Sequence, residues 1–203
     1  MIKKTISKVK RNNKISELPI LSFETIEELR KWYEKHHETH KGFWFLAAKK
    51  NSDRVSVSGQ EALDEALCFG WIDGVMHAHD EQSFLKHFTR RTPRSIWSKI
   101  NQANIERLIT SGRMHEAGLA AVQAAKEDGR WDQAYASPST AVIPDDFLSA
   151  VQADRLAAAT FSALNKSNKY AIYFRLTTAK RPETRAKRFE SLMEMLRKGE
   201  KIH

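Results

Sequence analysis

The amino-acid sequence predicts an α+β protein in which a small antiparallel sheet of about three to four strands packs with many helices, and the C-terminal half is helical. Short apolar runs between residues 42 and 89 are bounded by polar residues or glycine, which is typical of strands. From about residue 95 onward the apolar residues recur every three to four positions, as on one face of a helix. The 203 residues are enough for one domain, or for one core with a helical extension.

Five elements are predicted before residue 90, and two of them have recognisable starts. Thr25 precedes a helical pattern with acids in its opening turn, so it is a suitable helix cap. Ser58 is followed three residues later by Glu61, which is the capping-box pattern. The elements are, in order, a helix, a strand, a helix and two strands joined by a polar turn, over residues 24–39, 42–48, 59–68, 71–79 and 83–89.

The rest of the sequence predicts helices. Ser95 is expected to cap a helix that ends at Gly112, because isoleucine and leucine recur at helical spacing between the two residues. Pro182 stands where the first turn of a helix tolerates proline. The further helices are predicted over residues 115–127, from 145 or 146 onward, and over 154–165, 167–178 and 183–198.

Composition divides the chain into three regions. Residues 1–18 are predicted to be a disordered basic leader, residues 19–140 an α+β core, and residues 141–203 a helical section packed on or next to that core. No apolar run approaches the roughly 20 residues of a membrane span, so none is expected. The single cysteine, Cys68, fits a reducing compartment, with the cytoplasm as the default expectation. The oligomeric state is left open.

The net charge of +9 is unevenly distributed along the chain. Residues 86–113 carry seven basic side chains against Glu106 alone, and residues 166–203 carry eleven against four acids. Such segments fit a nucleic-acid-binding protein, because phosphates are neutralised by clustered lysine and arginine. The other interpretation is a basic tail and solvated helix faces with a modest anion pocket. The second interpretation is favoured, since no recognised nucleic-acid module is present.

The segment from Cys68 to Asn101 is the best candidate site, because tryptophan, histidine and arginine are concentrated there. At its start, Cys68 is interpreted as a small buried hydrophobe, since no adjacent base would stabilise a thiolate. Trp71 is expected in the core or in the wall of a cleft. Asp73, beside Gly74, is typical of a turn, with a carboxylate base as the alternative.

Three histidines lie on the two strands that follow. His77 and His79 are two residues apart and are predicted to face the same side, with His87 on the neighbouring strand. A metal site is the alternative, but zinc needs further firm ligands, so ordinary strand histidines are favoured. No metal and no cofactor are therefore expected.

The arginines form the strongest group. Arg90, Arg91 and Arg94 surround a proline at the end of a strand, and Ser95 is expected to open the next helix, with Trp97 inside it. Arginine forks bind carboxylates or phosphates, and a helix N-terminus adds free N–H groups. The alternative is that these arginines pair with acids of residues 15–85 and hold the sheet to the helices. The residues proposed to line the site are Trp71, Asp73, His77, His79, Arg90, Arg91, Arg94, Ser95, Trp97 and Asn101.

Five motifs together resemble the bacterial YdeI/OmpD-associated family, also described as bacteriocin-protection proteins. The resemblance covers about residues 20–200 and rests on EALDEALCFGWIDG, FTRRTPRSIWSKIN, RLITSGRMHEAGLAAV, DGRW and AKRPETRAKR. It implies a link to envelope physiology or stress resistance, and no established reaction or cofactor. The positions carried over by it are Glu61, Glu65, Trp71, Asp73, Gly74, Arg90, Arg91, Pro93, Arg94, Trp97, Ser98, Asn101, Gly129, Arg130, Trp131, Arg181, Pro182 and Arg185.

Three functions follow from these observations. The leading hypothesis is a stress- or envelope-associated binding module whose arginine- and tryptophan-lined cleft accepts a small anionic or aromatic ligand. One alternative is a small enzyme with Asp73 or Glu65 as base and Arg91 stabilising negative charge. No nucleophile–base pair, glycine-rich phosphate loop or HExxH motif is present, so enzyme activity is left open. The other alternative is nucleic-acid binding through residues 86–113 and 166–203.

Overall fold

The computed structural model describes residues 18–202, which form two compact units. The first unit contains residues up to 96 together with 101–132, and the second contains 97–100 together with the residues from 133 onward. The predicted basic leader, apart from its last residue, lies outside the described residues. The division into a core over 19–140 and a helical section over 141–203 stays a prediction, as does the packing of one on the other.

The first unit contains a four-stranded sheet formed by β1 (Ile20–Leu21), β2 (Gly42–Ala48), β3 (Trp71–Ala78) and β4 (Ser83–Arg90). The strand order is β1-β2-β4-β3, and β4 is antiparallel to both of its neighbours. The three predicted strands are therefore present within one residue of their expected bounds. The addition is β1, which pairs parallel to β2 and makes the sheet mixed.

Four helices accompany this sheet: α1 (Ile26–His36), α2 (Gly59–Cys68), α3 (Lys99–Thr110) and α4 (Glu116–Glu127). The caps predicted for the first two are confirmed. The Glu28 amide donates to Thr25 Oγ1 at 3.2 Å, and Ser58 with Glu61 forms the full capping box. These bonds satisfy amides that the first helical turn leaves without partners.

The prediction that Ser95 opens the third helix is wrong, because α3 begins at Lys99. The preceding backbone is engaged elsewhere in the second unit: the Tyr135 amide donates to the Trp97 carbonyl at 3.0 Å, and the Lys99 amide donates to the Tyr135 carbonyl at 2.9 Å. This bridge keeps the chain extended until Lys99. Ser95 itself closes a turn with Thr92, in which the Thr92 amide donates to Ser95 Oγ at 2.9 Å.

The core of the first unit is aromatic. Phe43 of β2 stacks on Phe88 of β4 with 5.6 Å between ring centroids, and Tyr33 of α1 stacks on Phe69 at 5.4 Å. Cys68 is fully buried at the end of α2, and burial raises the pKa of its thiol to about 11. The thiol therefore stays protonated near neutrality, which agrees with its interpretation as a small buried hydrophobe.

The described part of the second unit is helical, as predicted, with α5 (Asp145–Ala153), α6 (Arg155–Ala163), α7 (Lys166–Thr177) and α8 (Pro182–Arg197). Asp154 ends α5 and caps α6, since its Oδ1 accepts from the Leu156 and Ala157 amides. The four helices share one apolar core built around Phe147, Val151, Ile172, Leu176, Leu192 and Leu196. Among the described helices, none combines the length and apolar character needed to cross a bilayer.

Candidate functional site

The segment that begins with the last residue of β4, residues 90–95, is here named the arginine loop. The Arg91 amide donates to the Gly70 carbonyl at 3.0 Å, which fixes the start of the loop beside the end of α2. Thr92 and Ser95 then form a tight turn in which the Ser95 amide donates to the Thr92 carbonyl at 2.9 Å. The Arg94 amide also donates to Thr92 Oγ1 at 3.3 Å. The backbone that carries Arg94 is therefore held by several hydrogen bonds.

The three guanidinium groups of this loop have different surroundings. Arg90 is exposed and donates to the backbone carbonyl of Glu38. Arg91 is half-buried and donates from Nη1 to the Ile96 carbonyl at 3.2 Å. Arg94 is exposed, and within the described part of the chain its side chain makes no ion pair. The structure thus places two exposed arginines and one half-buried arginine on one short loop.

Arg130 contacts the arginine loop from the end of α4. Its Nη1 donates to the carbonyls of Thr92 and Ser95, at 3.2 Å each. Its Nε lies 2.7 Å and 2.8 Å from the two carboxylate oxygens of Asp128. Arg130 was carried over with the family motifs but was not among the residues proposed to line the site. Arg130 is 38 residues from Thr92 and 35 residues from Ser95, and no pattern in the sequence predicts contacts at such separations.

Trp71 and Asp73, the first two predicted site residues, are engaged within the first unit. Trp71 is fully buried, and its indole Nε1 donates to the His37 carbonyl at 3.1 Å. The Asp73 carboxylate lies 2.7 Å from Lys86 Nζ on the neighbouring strand. Trp71 is thus a core residue, and Asp73 is half of a cross-strand ion pair. A ligand-binding role for either residue stays a prediction.

The histidines lie on β3, on β4 and in the turn between them. His77 and His87 both contact the buried Trp44 ring, with centroid distances of 5.3 Å and 5.0 Å. His79 follows β3, and its amide donates to the Ser83 carbonyl at 3.3 Å. Burial lowers the pKa of His87 from its ordinary value, so its imidazole is neutral at pH 7. Across residues 18–202, no three side chains of histidine, cysteine, aspartate or glutamate form a group suited to a metal ion.

The last two predicted site residues are buried. Asn101 lies on α3 in the first unit and is 8% exposed. Trp97 belongs to the second unit and is 1% exposed. Of the ten predicted site residues, the arginine loop brings Arg90, Arg91, Arg94 and Ser95 together.

A buried ion-paired carboxylate was not predicted. Glu65 of α2 is 1% exposed, and its two oxygens pair with Arg30 of α1, at 3.1 Å, and with Arg113. Arg30 also donates to the Arg113 carbonyl at 3.1 Å, so the two cations and the carboxylate form one connected group. The partners are 35 and 48 positions from Glu65 in the sequence, and no periodic pattern relates them.

The comparisons with known proteins divide the chain in two. Residues 140–199 match the family model described as Bacteriocin-protection, YdeI or OmpD-Associated. This C-terminal segment is similar to the YdeI/OmpD-associated family. Residues 21–121 match another model, a domain of unknown function designated DUF8412. No curated protein and no solved structure matches the chain.

The family resemblance is thereby confirmed, but over a shorter segment than residues 20–200. Of the five motifs that carried it, AKRPETRAKR lies within residues 140–199. The first two motifs lie wholly within residues 21–121, and the third ends one residue beyond them. The arginine loop is therefore part of the segment matched by the domain of unknown function. Of the carried-over positions, the YdeI/OmpD-associated segment contains Arg181, Pro182 and Arg185.

Proposed function

We propose that the chain is an envelope- or stress-associated binding module whose first unit binds small anions at the arginine loop. The observation that carries this proposal is the absence of carboxylate partners for Arg90 and Arg94 within the described residues. Arg90 donates to a backbone carbonyl, and the exposed Arg94 side chain makes no ion pair there. An uncompensated guanidinium fork is suited to a carboxylate or a phosphate group.

Other arginines of the first unit are paired with acids. Arg107 lies 2.8 Å from Asp64, and Arg54 lies 3.1 Å from Asp80. Arg30 and Arg113 share Glu65, as described above. Acidic partners are thus available in the same unit, and Arg90 and Arg94 are not joined to them. This difference supports an external anion over structural pairing for these two side chains.

The order of the loop also supports binding. Four backbone or side-chain hydrogen bonds within and around the Thr92–Ser95 turn hold the loop backbone. An anion that binds to such a loop does not have to order its backbone, and that ordering entropy would otherwise reduce the affinity. The link to the envelope or to stress is our interpretation of the family description that residues 140–199 match, which names bacteriocin protection and OmpD association.

The enzyme alternative lacks comparable support. Both carboxylates considered as bases have cationic partners: Glu65 has two arginines, and Asp73 has Lys86. A general base must be able to accept a proton from a substrate within hydrogen-bond reach. Carboxylates held in ion pairs are poorly suited to that task, so the binding module is the function that we propose.

Isothermal titration with inorganic phosphate, pyrophosphate and citrate tests the proposal. Arg94→Ala is expected to weaken binding of the preferred anion about tenfold or more, because a hydrogen bond to a charged group contributes roughly 1.5–3 kcal/mol. Arg181→Ala is the matched control, since it removes an exposed arginine of the second unit. Binding that Arg94→Ala leaves unchanged, or no binding by any of the three anions, would contradict the proposal.

Titration with duplex DNA distinguishes small-anion binding from the remaining alternative, nucleic-acid binding. Nucleic-acid binding through residues 86–113 and 166–203 predicts that Arg94→Ala and Arg181→Ala weaken duplex binding similarly. It also predicts a steep loss of affinity with salt, because counterions are released from each neutralised phosphate. Tight duplex binding with these two properties, together with no effect of the small anions, would replace the anion proposal.

A further inference from the structure

We propose that Arg130 is the positioning residue of the arginine loop and sets its affinity for anions without contacting them. This inference rests on the proposed function of the loop. Its basis is the pair of hydrogen bonds from Arg130 Nη1 to the Thr92 and Ser95 carbonyls, which are the two ends of the turn that carries Arg94. One guanidinium group thus joins both ends of the turn.

The Arg130 side chain is held on the protein side through both Nε and Nη1. It is 10% exposed, and Asp128 holds its Nε through both carboxylate oxygens. The carboxylate fixes the plane of the guanidinium, so Nη1 points to the two carbonyls in one defined direction. A side chain held in this way is poorly placed to reach an external anion. Its effect on binding therefore passes through the loop backbone.

The backbone next to Arg130 is anchored as well. The Trp131 amide donates to the Ala125 carbonyl at 2.9 Å, and Gln102 Nε2 donates to the Trp131 carbonyl at 2.7 Å. Lys126 Nζ lies 5.5 Å from the centre of the Trp131 ring. These contacts connect Arg130 to α3 and α4, both of which are helices of 12 residues. The arginine loop is consequently tied to regular structure at a point far from it in sequence.

A charge-assisted bond from Arg130 also affects the turn itself. The Thr92 carbonyl accepts both from the Ser95 amide, at 2.9 Å, and from Arg130. Without Arg130, the turn would keep its internal bonds but lose the contact that fixes its position relative to α4. The arginines of the loop would then have to be ordered when the anion binds, at a cost in affinity.

Pyrophosphate titration and hydrogen–deuterium exchange of the intact chain test this role. Four proteins are compared: the unchanged chain, Arg94→Ala, Arg130→Ala and Arg130→Lys. We expect Arg130→Ala to weaken pyrophosphate binding about tenfold and to accelerate exchange of the loop amides of residues 91, 92 and 94–96. Arg130→Lys, which keeps a cationic donor, should recover part of both properties. Arg94→Ala should weaken binding about tenfold or more and leave the exchange of the loop unchanged.

The outcomes separate this inference from the proposed function. If Arg94→Ala binds pyrophosphate like the unchanged chain, the anion site itself is wrong. If Arg94→Ala weakens binding while Arg130→Ala does not, the anion site stands and the positioning role is overturned. Loss of binding in Arg130→Ala with unchanged exchange of these loop amides also overturns it, because Arg130 would then act on the anion directly.

Discussion

Gly118 of α4 lies directly against the backbone carbonyl of Cys68 at the end of α2. A Cβ atom on Gly118 would overlap the Cys68 oxygen and would stand 2.7 Å from the carbonyl carbon. Glycine is therefore required here by the close approach of two backbones. The contact is the point at which α4 packs on α2 in the first unit.

Gly118→Ala is expected to destabilise the first unit by roughly 1–3 kcal/mol, because overpacking forces the backbone to shift. Urea unfolding followed by tryptophan fluorescence measures the change. Gly59→Ala is the matched control: it is also a helical glycine, and its Cβ would meet nothing closer than 3.9 Å. Equal stabilities for the two variants would show that α4 can move away from Cys68 at no cost.

Glu65→Gln is expected to cost about 3 kcal/mol or more, because it removes the buried carboxylate that two arginines share. Arg30 and Arg113 would both stay charged, and among the described residues no other acid contacts both of them. Thermal or urea unfolding provides the measurement. Asp64→Asn serves for comparison. Its partner Arg107 is half exposed, so loss of the Asp64–Arg107 ion pair should cost less stability. A smaller cost for Glu65→Gln than for Asp64→Asn would refute the importance of the shared carboxylate.

Tyr33→Phe is expected to leave stability unchanged or to raise it by up to about 1 kcal/mol. The Tyr33 hydroxyl is buried and has no hydrogen-bond partner among the described residues, so its removal breaks no bond. Burial, and then the nearby Glu65 charge, raises the pKa of Tyr33 well above its ordinary value, so the hydroxyl stays protonated. Tyr173→Phe is the contrasting variant, because the Tyr173 hydroxyl accepts from the Ala136 amide at 2.7 Å. Tyr33→Phe should be the more stable of the two in urea unfolding.

The stability of the chain is expected to fall between pH 7.5 and pH 5.5, partly because of His87. Burial lowers the pKa of His87 in the folded state, so the unfolded chain takes up its proton first as the pH falls. The contribution of His87 to stability is fully present above the ordinary histidine pKa of about 6.5. It is lost as the pH falls toward the pKa of His87 in the folded state. His36, whose pKa is also lowered by burial, acts in the same direction.

Urea unfolding at the two pH values, for the unchanged chain and for His87→Gln, checks this expectation. The variant should lose less stability on acidification, with a residual loss from His36. The carboxylates with lowered pKa values, such as Asp80 and Asp146, titrate further down and do not interfere in this window. An identical loss in both proteins would exclude His87 as a source.

Elements with a local pattern could be predicted from the sequence. The Ser58–Glu61 capping box fixed the start of α2, and the apolar run after Gly42 gave β2 with its observed bounds. β1 was missed because two residues carry no alternation, and its pairing with Trp44 and Phe45 is a tertiary contact. Serine is a common helix cap, so Ser95 was predicted to be one. Its hydroxyl instead accepts a hydrogen bond from the Thr92 amide, and this local bond competes with helix capping.

Only part of the spatial grouping of the proposed site residues could be predicted, and their role in binding stays a prediction. The neighbouring positions of Arg90, Arg91 and Arg94 in the sequence placed them on one loop, and the structure keeps them there. Trp71 was placed beside them in a cleft because a tryptophan can serve a wall or a core equally well. The contacts of Arg130 with the loop depend on how the chain folds back after α4. Side-chain chemistry alone does not contain that information.

Asp154 is the whole connection between α5 and α6, because the same residue ends one helix and caps the next. An α-helix turns by about 100° for each residue. One residue inserted beside Asp154 would therefore rotate the buried side of α6 away from α8, whereas a longer loop would absorb the insertion. Homologous chains should therefore have no insertion or deletion between α5 and α6, even where the flanking sequences diverge.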